Sequence, residues 1–144
     1  PPADPSARLV AIVKEMKSPD REVRLKAVGK LVHFEGGQEL ALPVLANLRE
    51  AMRDPEGDIR AVACTATGNF REQAKPAVPD FVRLLRDPDK EVRQCAVRAL
   101  GRVGEPAKPV LPDMARSTQD EDPVVRVVAH AARESRTHGR SKTQ

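Results

Sequence analysis

Four acidic turns hold the side chains best placed for chemistry: Ser18-Pro19-Asp20, Asp54-Pro55-Glu56, Asp87-Pro88-Asp89 and Asp120-Glu121-Asp122. Clustered carboxylates could hold a hard cation such as calcium. An EF-type loop, however, needs about 12 residues, a glycine near its middle and a closing bidentate glutamate. None of the turns supplies that set. The reading they support is helix capping, in which a side-chain oxygen accepts an N–H group that a helix start leaves open. Cys64 and Cys95 stand 31 positions apart, with no Cys-x-x-Cys and no nearby histidine pair. Neither a zinc site nor a disulfide framework follows, and both are read as small apolar residues on helices. His33, His130 and His138 are scattered, with no His-x-x-x-His or Glu-x-x-His pair to hold a metal. Pro76-x-x-Pro79 and Pro109-x-x-Pro112 match the bare spacing of a polyproline ligand, but their recurrence at one structural point favours helix starts. No Gly-rich phosphate loop, nucleophile elbow or Cys/His dyad is present. The expectation is a chain with no catalytic residue, no metal, no cofactor and no enzyme activity.

The turns carry more information in their spacing. Each leads to an apolar-arginine pair: Val23-Arg24, Ile59-Arg60, Val92-Arg93 and Val125-Arg126. The arginines recur at intervals of 36, 33 and 33 residues, and a recurring interval of this size marks a repeat architecture. Aligned on the arginines, apolar columns appear before the turn: Leu9, Leu45, Val78 and Leu111; then Ile12, Leu48, Phe81 and Met114; then Met16, Met52 and Leu85, with Thr118 in the fourth unit. After the turn come Ala27, Ala63, Ala96 and Ala129, then Leu31, Thr67, Leu100 and Arg133, then Phe34, Phe70, Val103 and Arg136. Steps of three and four residues trace one face of a helix. Each unit therefore reads as helix, tight turn, helix. Acidic residues open the second helices, where the helix dipole favours them. Gly36-Gly37 and Gly104-Glu105-Pro106 close them. The three extra residues of the second unit lie before Leu45. The polar substitutions in the fourth unit read as a C-terminal cap, whereas the first unit has full apolar columns and no polar cap.

Composition agrees with this reading. The chain is 40% hydrophobic and 32% charged, enough to bury a core, yet it holds three Phe and no Trp or Tyr. Sandwiches and barrels lean on aromatic and β-branched strands, and single-strand nucleic-acid platforms need exposed rings. The net charge of +4 sits mostly at the C-terminus: residues 133–144 carry +3 and the other 132 residues only +1. A near-neutral body binds a polyanion only if its bases cluster on one face. No apolar run approaches the roughly 18 residues of a spanning helix, no signal peptide is visible, and no membrane partner is expected. The chain opens on Pro1-Pro2 rather than Met and reads as a part of a larger protein. The sequence does not fix a compartment, with the cytoplasm favoured.

The turn Asp87-Pro88-Asp89-Lys90-Glu91-Val92-Arg93 and the ending Ala99-Leu100-Gly101-Arg102-Val103-Gly104 give the units a specific likeness. They resemble HEAT repeats, of the short kind also found in phycobilisome-lyase proteins. The resemblance covers about residues 6–136. It implies an all-α fold, a right-handed α-solenoid of about four helix-turn-helix repeats. The units fall at about 6–36, 37–72, 73–105 and 106–136, between an N-terminal linker (residues 1–5) and a basic, disordered tail (residues 137–144). It also implies a ladder of polar contacts linking Asp54, Asp87 and Asp120 with Arg24, Arg60, Arg93 and Arg126. Ser18 replaces the turn Asp in the first unit, so one acidic rung is expected to be missing.

In such solenoids the second helices line the concave face. Positions one, five and nine after the arginine are expected there. They include Leu25, His33, Thr65, Asn69, Gln94, Arg98, Arg102 and Val127, a mixed surface suited to a peptide or a partner helix. The leading expectation is a non-catalytic protein–protein interaction scaffold for an unidentified protein or peptide. The alternative is duplex nucleic-acid binding through a basic concave groove, with Lys26, Lys30, Arg98, Arg102 and the tail on phosphates.

Overall fold

The computed structural model describes residues 4–138. Its α-helices are α1 (Pro5–Met16), α2 (Arg21–Leu31), α3 (Ala41–Ala51), α4 (Gly57–Gly68), α5 (Val78–Leu84), α6 (Lys90–Val103), α7 (Leu111–Ser117) and α8 (Pro123–His138). They pair as α1/α2, α3/α4, α5/α6 and α7/α8, each pair closed by one acidic turn. No strand occurs among the described residues. The fold is an all-helical repeat solenoid.

Local chemistry explains where the helices start. The Asp20 and Asp89 carboxylates accept the N–H groups of Glu22 and Glu91 at 2.8 and 2.9 Å, and Asp122 accepts that of Val125 at 3.0 Å. Each satisfies a donor that a helix start would otherwise leave open. In the third and fourth units the first helix is preceded by a 3-10 segment, Arg71–Ala77 and Glu105–Val110. Pro76 and Pro109 lie inside those segments, and Pro79 and Pro112 fall in the first turn of α5 and α7. Prolines cannot donate the bonds of a continuous α-helix, so the lead-in winds tighter before the α-helix begins. In the second unit the extra residues form a 3-10 turn, Gln38–Leu40, after Gly37 at φ 73°. Pro5 already belongs to α1, in a first turn where its missing N–H costs nothing. α8 continues to His138. Residues 1–3 of the linker and 139–144 of the tail lie outside the described residues.

The apolar columns form the core. Ala27, Ala63, Ala96 and Ala129 are fully buried, as are Leu48, Phe81 and Met114, while Met16, Phe34, Phe70 and Leu111 pack half-buried against them. In the fourth unit Arg133 is exposed and Thr118 half-buried. The second helices pack directly on one another along the stack, α2 on α4 on α6 on α8, whereas the first helices touch more sparsely. The second helices therefore lie on the inner side. Their close approach needs small residues. A Cβ on Gly68 would meet the Ala99 Cβ at 3.0 Å and its Cα at 3.1 Å, and one on Gly101 would meet the Ala132 Cβ at 3.4 Å.

Two substitutions test this packing. Gly68→Val should lower the unfolding free energy by roughly 1–3 kcal/mol, the usual range for overpacking against backbone. Arg71, at φ 54°, stands in the column where the third unit places Gly104 at φ 78°, and a side chain in the left-handed region is strained. Arg71→Gly should therefore stabilise the protein by up to about 1 kcal/mol, net of glycine's extra unfolded-state entropy. Urea denaturation measures both. A neutral Gly68→Val or a destabilising Arg71→Gly would contradict the geometry.

Candidate functional site

The charged turns are consumed by a ladder. Arg24 donates from Nε and Nη2 to the two oxygens of Asp54 at 2.8 and 3.3 Å. Arg60 does the same to Asp87 at 2.9 and 3.0 Å, and Arg93 to Asp120 at 3.0 and 3.1 Å. The remaining nitrogen, Nη1, reaches back to its own turn. That of Arg60 donates to the carbonyls of Asp54 and Pro55 at 2.8 and 2.9 Å, and that of Arg126 to those of Asp120 and Glu121 at 2.7 and 3.1 Å. Each Asp also accepts the N–H two residues on, at Glu56, Asp89 and Asp122. These fork-to-carboxylate bonds need arginine's planar donor set, which lysine lacks. The hydrogen bonds to aspartate hold Arg24, Arg60 and Arg93 above their ordinary pKa, against the opposing effect of burial.

The direction of the rungs corrects one expectation. Each arginine pairs with the aspartate of the following turn, so three rungs join four units. Ser18 leaves no rung unfilled among the described residues. Its hydroxyl keeps the local part of the role, accepting the Asp20 N–H at 3.1 Å.

The second-helix face beyond the ladder is the candidate binding surface. Thr65, Cys95, Arg98, Ala99 and Arg102 line an open depression of roughly 300 Å³ between α4 and α6. Its floor is low because Gly68 and Ala99 meet below it. Asn69 is exposed. Its amide donates to the Val32 carbonyl at 3.3 Å and its Oδ1 accepts from Arg102 at 2.9 Å, so three successive second helices are tied at their C-terminal ends. Arg98 is exposed and in no ion pair among the described residues. The Thr65 hydroxyl donates to the Cys95 sulfur at 3.4 Å. The charged groups at the depression are the two guanidiniums of Arg98 and Arg102, an arrangement that favours an anionic or acceptor-rich ligand.

Other expected face residues lie elsewhere. Leu25 is half-buried against the core rather than exposed. The position after the arginine points into the seam between neighbouring second helices, and in the third unit it is occupied by Gln94, which donates to Asp122 of the next unit at 3.0 Å. Val127 takes the same place on α8 and is 67% exposed, with no further second helix against it among the described residues. His33 is exposed at the end of α2. In the third unit the residue two after the arginine, Cys95, lines the depression instead, and it is the residue that the sequence reading missed. Cys64 is buried, and burial pushes its thiol well above the ordinary value, which makes it inert. Of the bases considered for phosphate contacts, Lys30 is bound to Glu15 at 2.8 Å and Arg102 to Asn69. Lys26 and Arg98 are exposed, and Arg140 and Lys142 of the tail lie outside the described residues. No cluster of three or more potential metal ligands occurs among the described residues.

A family model described as HEAT repeats matches residues 45–133, more than half of the chain. Among solved structures the chain is similar to a designed armadillo repeat protein, at 22% identity and a TM-score of 0.69, over 86% of this chain and 62% of that one. It is also similar to an engineered protein known from a crystal structure, at 22% identity and TM-score 0.69, over 91% of this chain and 63% of the other. At that identity the likeness shows the fold alone, and the chain spans less than two thirds of either structure. No curated protein matches the sequence.

The ladder yields two predictions. Asp87→Ala strips Arg60 of its carboxylate within a largely buried seam and should cost roughly 2–3 kcal/mol, somewhat less than a fully buried pair because the edge of Arg60 touches water. Denaturation in which Asp87→Ala matches wild type would remove the ladder from the stability account. The Val125 N–H, then Gln94, hold the Asp122 carboxyl below its ordinary range, against the opposing effect of burial. A depressed value adds stability that is complete above the unfolded carboxylate pKa near 4 and lost as the pH falls through the folded value, so the gap between wild type and Asp122→Asn should shrink from about pH 6 to about pH 3. A gap that stays constant with pH would contradict this.

Proposed function

The chain belongs to the HEAT-repeat family, and on that footing we propose that it is a non-catalytic scaffold that binds an acidic peptide or helix of another protein along its second-helix face. Solenoids of this kind commonly serve as protein-interaction scaffolds. The observation that carries the reading is the depression over Ala99, where Arg98 and Arg102 stand one helical turn apart above a floor of small residues. Two guanidinium groups at that spacing suit carboxylate side chains of an extended or helical segment. Arg102 is already oriented by Asn69, whose amide is fixed by the Val32 carbonyl, so less freedom is lost when a ligand binds. On the side of α2, Lys26 and, just beyond the helix, His33 are exposed and would continue the surface. The absence of a catalytic constellation in the sequence agrees with a binding role and adds no chemistry to it.

Selection from a random peptide library, followed by fluorescence anisotropy, tests the reading. The selected peptides should be rich in Asp and Glu. Their affinity should fall at least about tenfold in Arg98→Glu/Arg102→Glu, each lost charged contact being worth on the order of 1 kcal/mol or more. Thr65→Arg, which would fill the depression, should weaken binding as well. Peptides that bind the double variant as tightly as wild type would place the ligand elsewhere and overturn the proposal.

A further inference from the structure

The fold sorts charge that is nearly balanced in the sequence. Acidic residues concentrate in the turns and at the starts of the second helices, where Asp54, Asp87 and Asp120 are used by the ladder. The first helices turn a different surface outward. On α1, Val10, Lys14 and Lys17 follow at steps of four and three residues, and at the same steps α3 and the turn after it present Leu42, Ala46, Glu50 and Arg53. On α5 the line is Pro79, Arg83 and Arg86, and on α7 it is Pro112 and Arg116. All of these residues are exposed. Val10 and Leu42 are each 71% exposed, the most open of the large apolar side chains among the described residues.

Across the repeats the lines fall into rows. One row is apolar: Val10, Ala46, Pro79 and Pro112. Beside it run the bases. The rows are joined from the second unit to the fourth. Arg83 donates to the Met52 carbonyl of the preceding unit at 3.4 Å, and Val82, Arg86, Asp113 and Arg116 line one shallow cleft between α5 and α7. Beneath the rows lies Asp80, only 4% exposed, with Arg49 at 2.7 Å, Arg83 at 3.6 Å and Arg53 at 4.0 Å. One carboxylate serves three guanidiniums, so it orients them without neutralising the face. Glu50 stands in the basic row itself, at the place of Lys14, Arg83 and Arg116, and is the one exposed acid there, while the half-buried Asp113 and Asp120 line the cleft beside Arg86 and Arg116. Lys14, Arg83 and Arg116 fall in last helical turns, where the dipole favours a cation. The dipole does not account for Lys17, Arg53 and Arg86 beyond the helix ends, or for the apolar row.

We propose that this first-helix face docks peripherally on an anionic lipid bilayer, independently of the second-helix groove on the opposite side. Anionic headgroups attract surface bases, and small apolar side chains between those bases enter the interfacial layer. The face lies on the outer side of the stack, so it meets a broad, yielding plane over its whole area. A nucleic-acid duplex would touch such a surface along a line and would leave the apolar row unused. No helix of the described residues is long and apolar enough to cross a membrane, and lying on a bilayer requires none. The expected absence of a membrane partner rested on the lack of a spanning run and of a signal peptide, and neither bears on surface docking.

Co-sedimentation of the full chain with phosphatidylcholine vesicles, with and without about 30 mol% phosphatidylserine, tests the proposal at low and high salt. Wild type should pellet with the anionic vesicles only, and added salt should release it. Lys14→Glu/Lys17→Glu/Arg86→Glu, changes at exposed positions outside the ladder, should weaken binding at least about tenfold. Val10→Ser/Leu42→Ser should weaken it less and leave what remains more sensitive to salt. Arg98→Glu/Arg102→Glu and Arg140→Gln/Lys142→Gln should bind as wild type does. Thermal melting confirms that each variant is folded. The proposal is overturned if wild type stays in the supernatant at low salt, or if the triple variant binds unchanged. It is equally overturned if only the tail variant loses binding, or if a random duplex binds through the same three bases without regard to Val10 and Leu42.

Discussion

A helix pair that carries an apolar stripe on each helix, and a further small-residue edge on the second, cannot hide all of that surface within itself. Everything else in this structure follows from that constraint. The first stripe is covered inside the pair, and the rest is covered only when the next pair stacks against it. The alanine column is where this is most visible. Ala27, Ala63, Ala96 and Ala129 are fully buried, and Gly68 and Gly101 bring neighbouring second helices nearly into backbone contact. Larger side chains there would hold the pairs apart and return the stripes to water.

Apolar contact of this kind fixes closeness but not angle, because it is non-directional. The ladder supplies the direction. Each arginine is bonded at once to the carbonyls of its own turn and to the carboxylate of the next, so successive turns are held at one spacing. The rung side chains are mostly buried, and the paired hydrogen bonds to each carboxylate offset the desolvation cost of a covered ion pair. The same device uses up the acidic residues. The two faces of the solenoid are left with their bases less opposed, and both surfaces assigned a binding role here arise from that sorting.

The fold was legible in the sequence because a repeat states its own alignment. The intervals of 36, 33 and 33 residues placed the core columns, and the family resemblance implied the residues of the ladder, though not which arginine pairs with which aspartate. The surface was less legible for physical reasons. A helical periodicity gives the angle between residues but not the absolute rotation of the helix, so Leu25 was assigned to the open face when it lies in the seam, and Cys95 was missed where the groove has its wall. Net charge is a sum over the whole chain and says nothing of its distribution. The +1 body conceals the basic rows on the first helices because the compensating acids are on another face. Ser18 looked like a defect only while the direction of the rungs, from each arginine to the following turn, was not fixed.

If neighbour stacking is what holds each pair, protection against exchange should depend on how many neighbours a pair has. Native-state hydrogen exchange measures that directly. The amides of α4 and α6, flanked on both sides, should exchange most slowly, with α1 and α8 opening at lower free energy. Protection that is uniform along the chain, or highest in α1 or α8, would contradict the account.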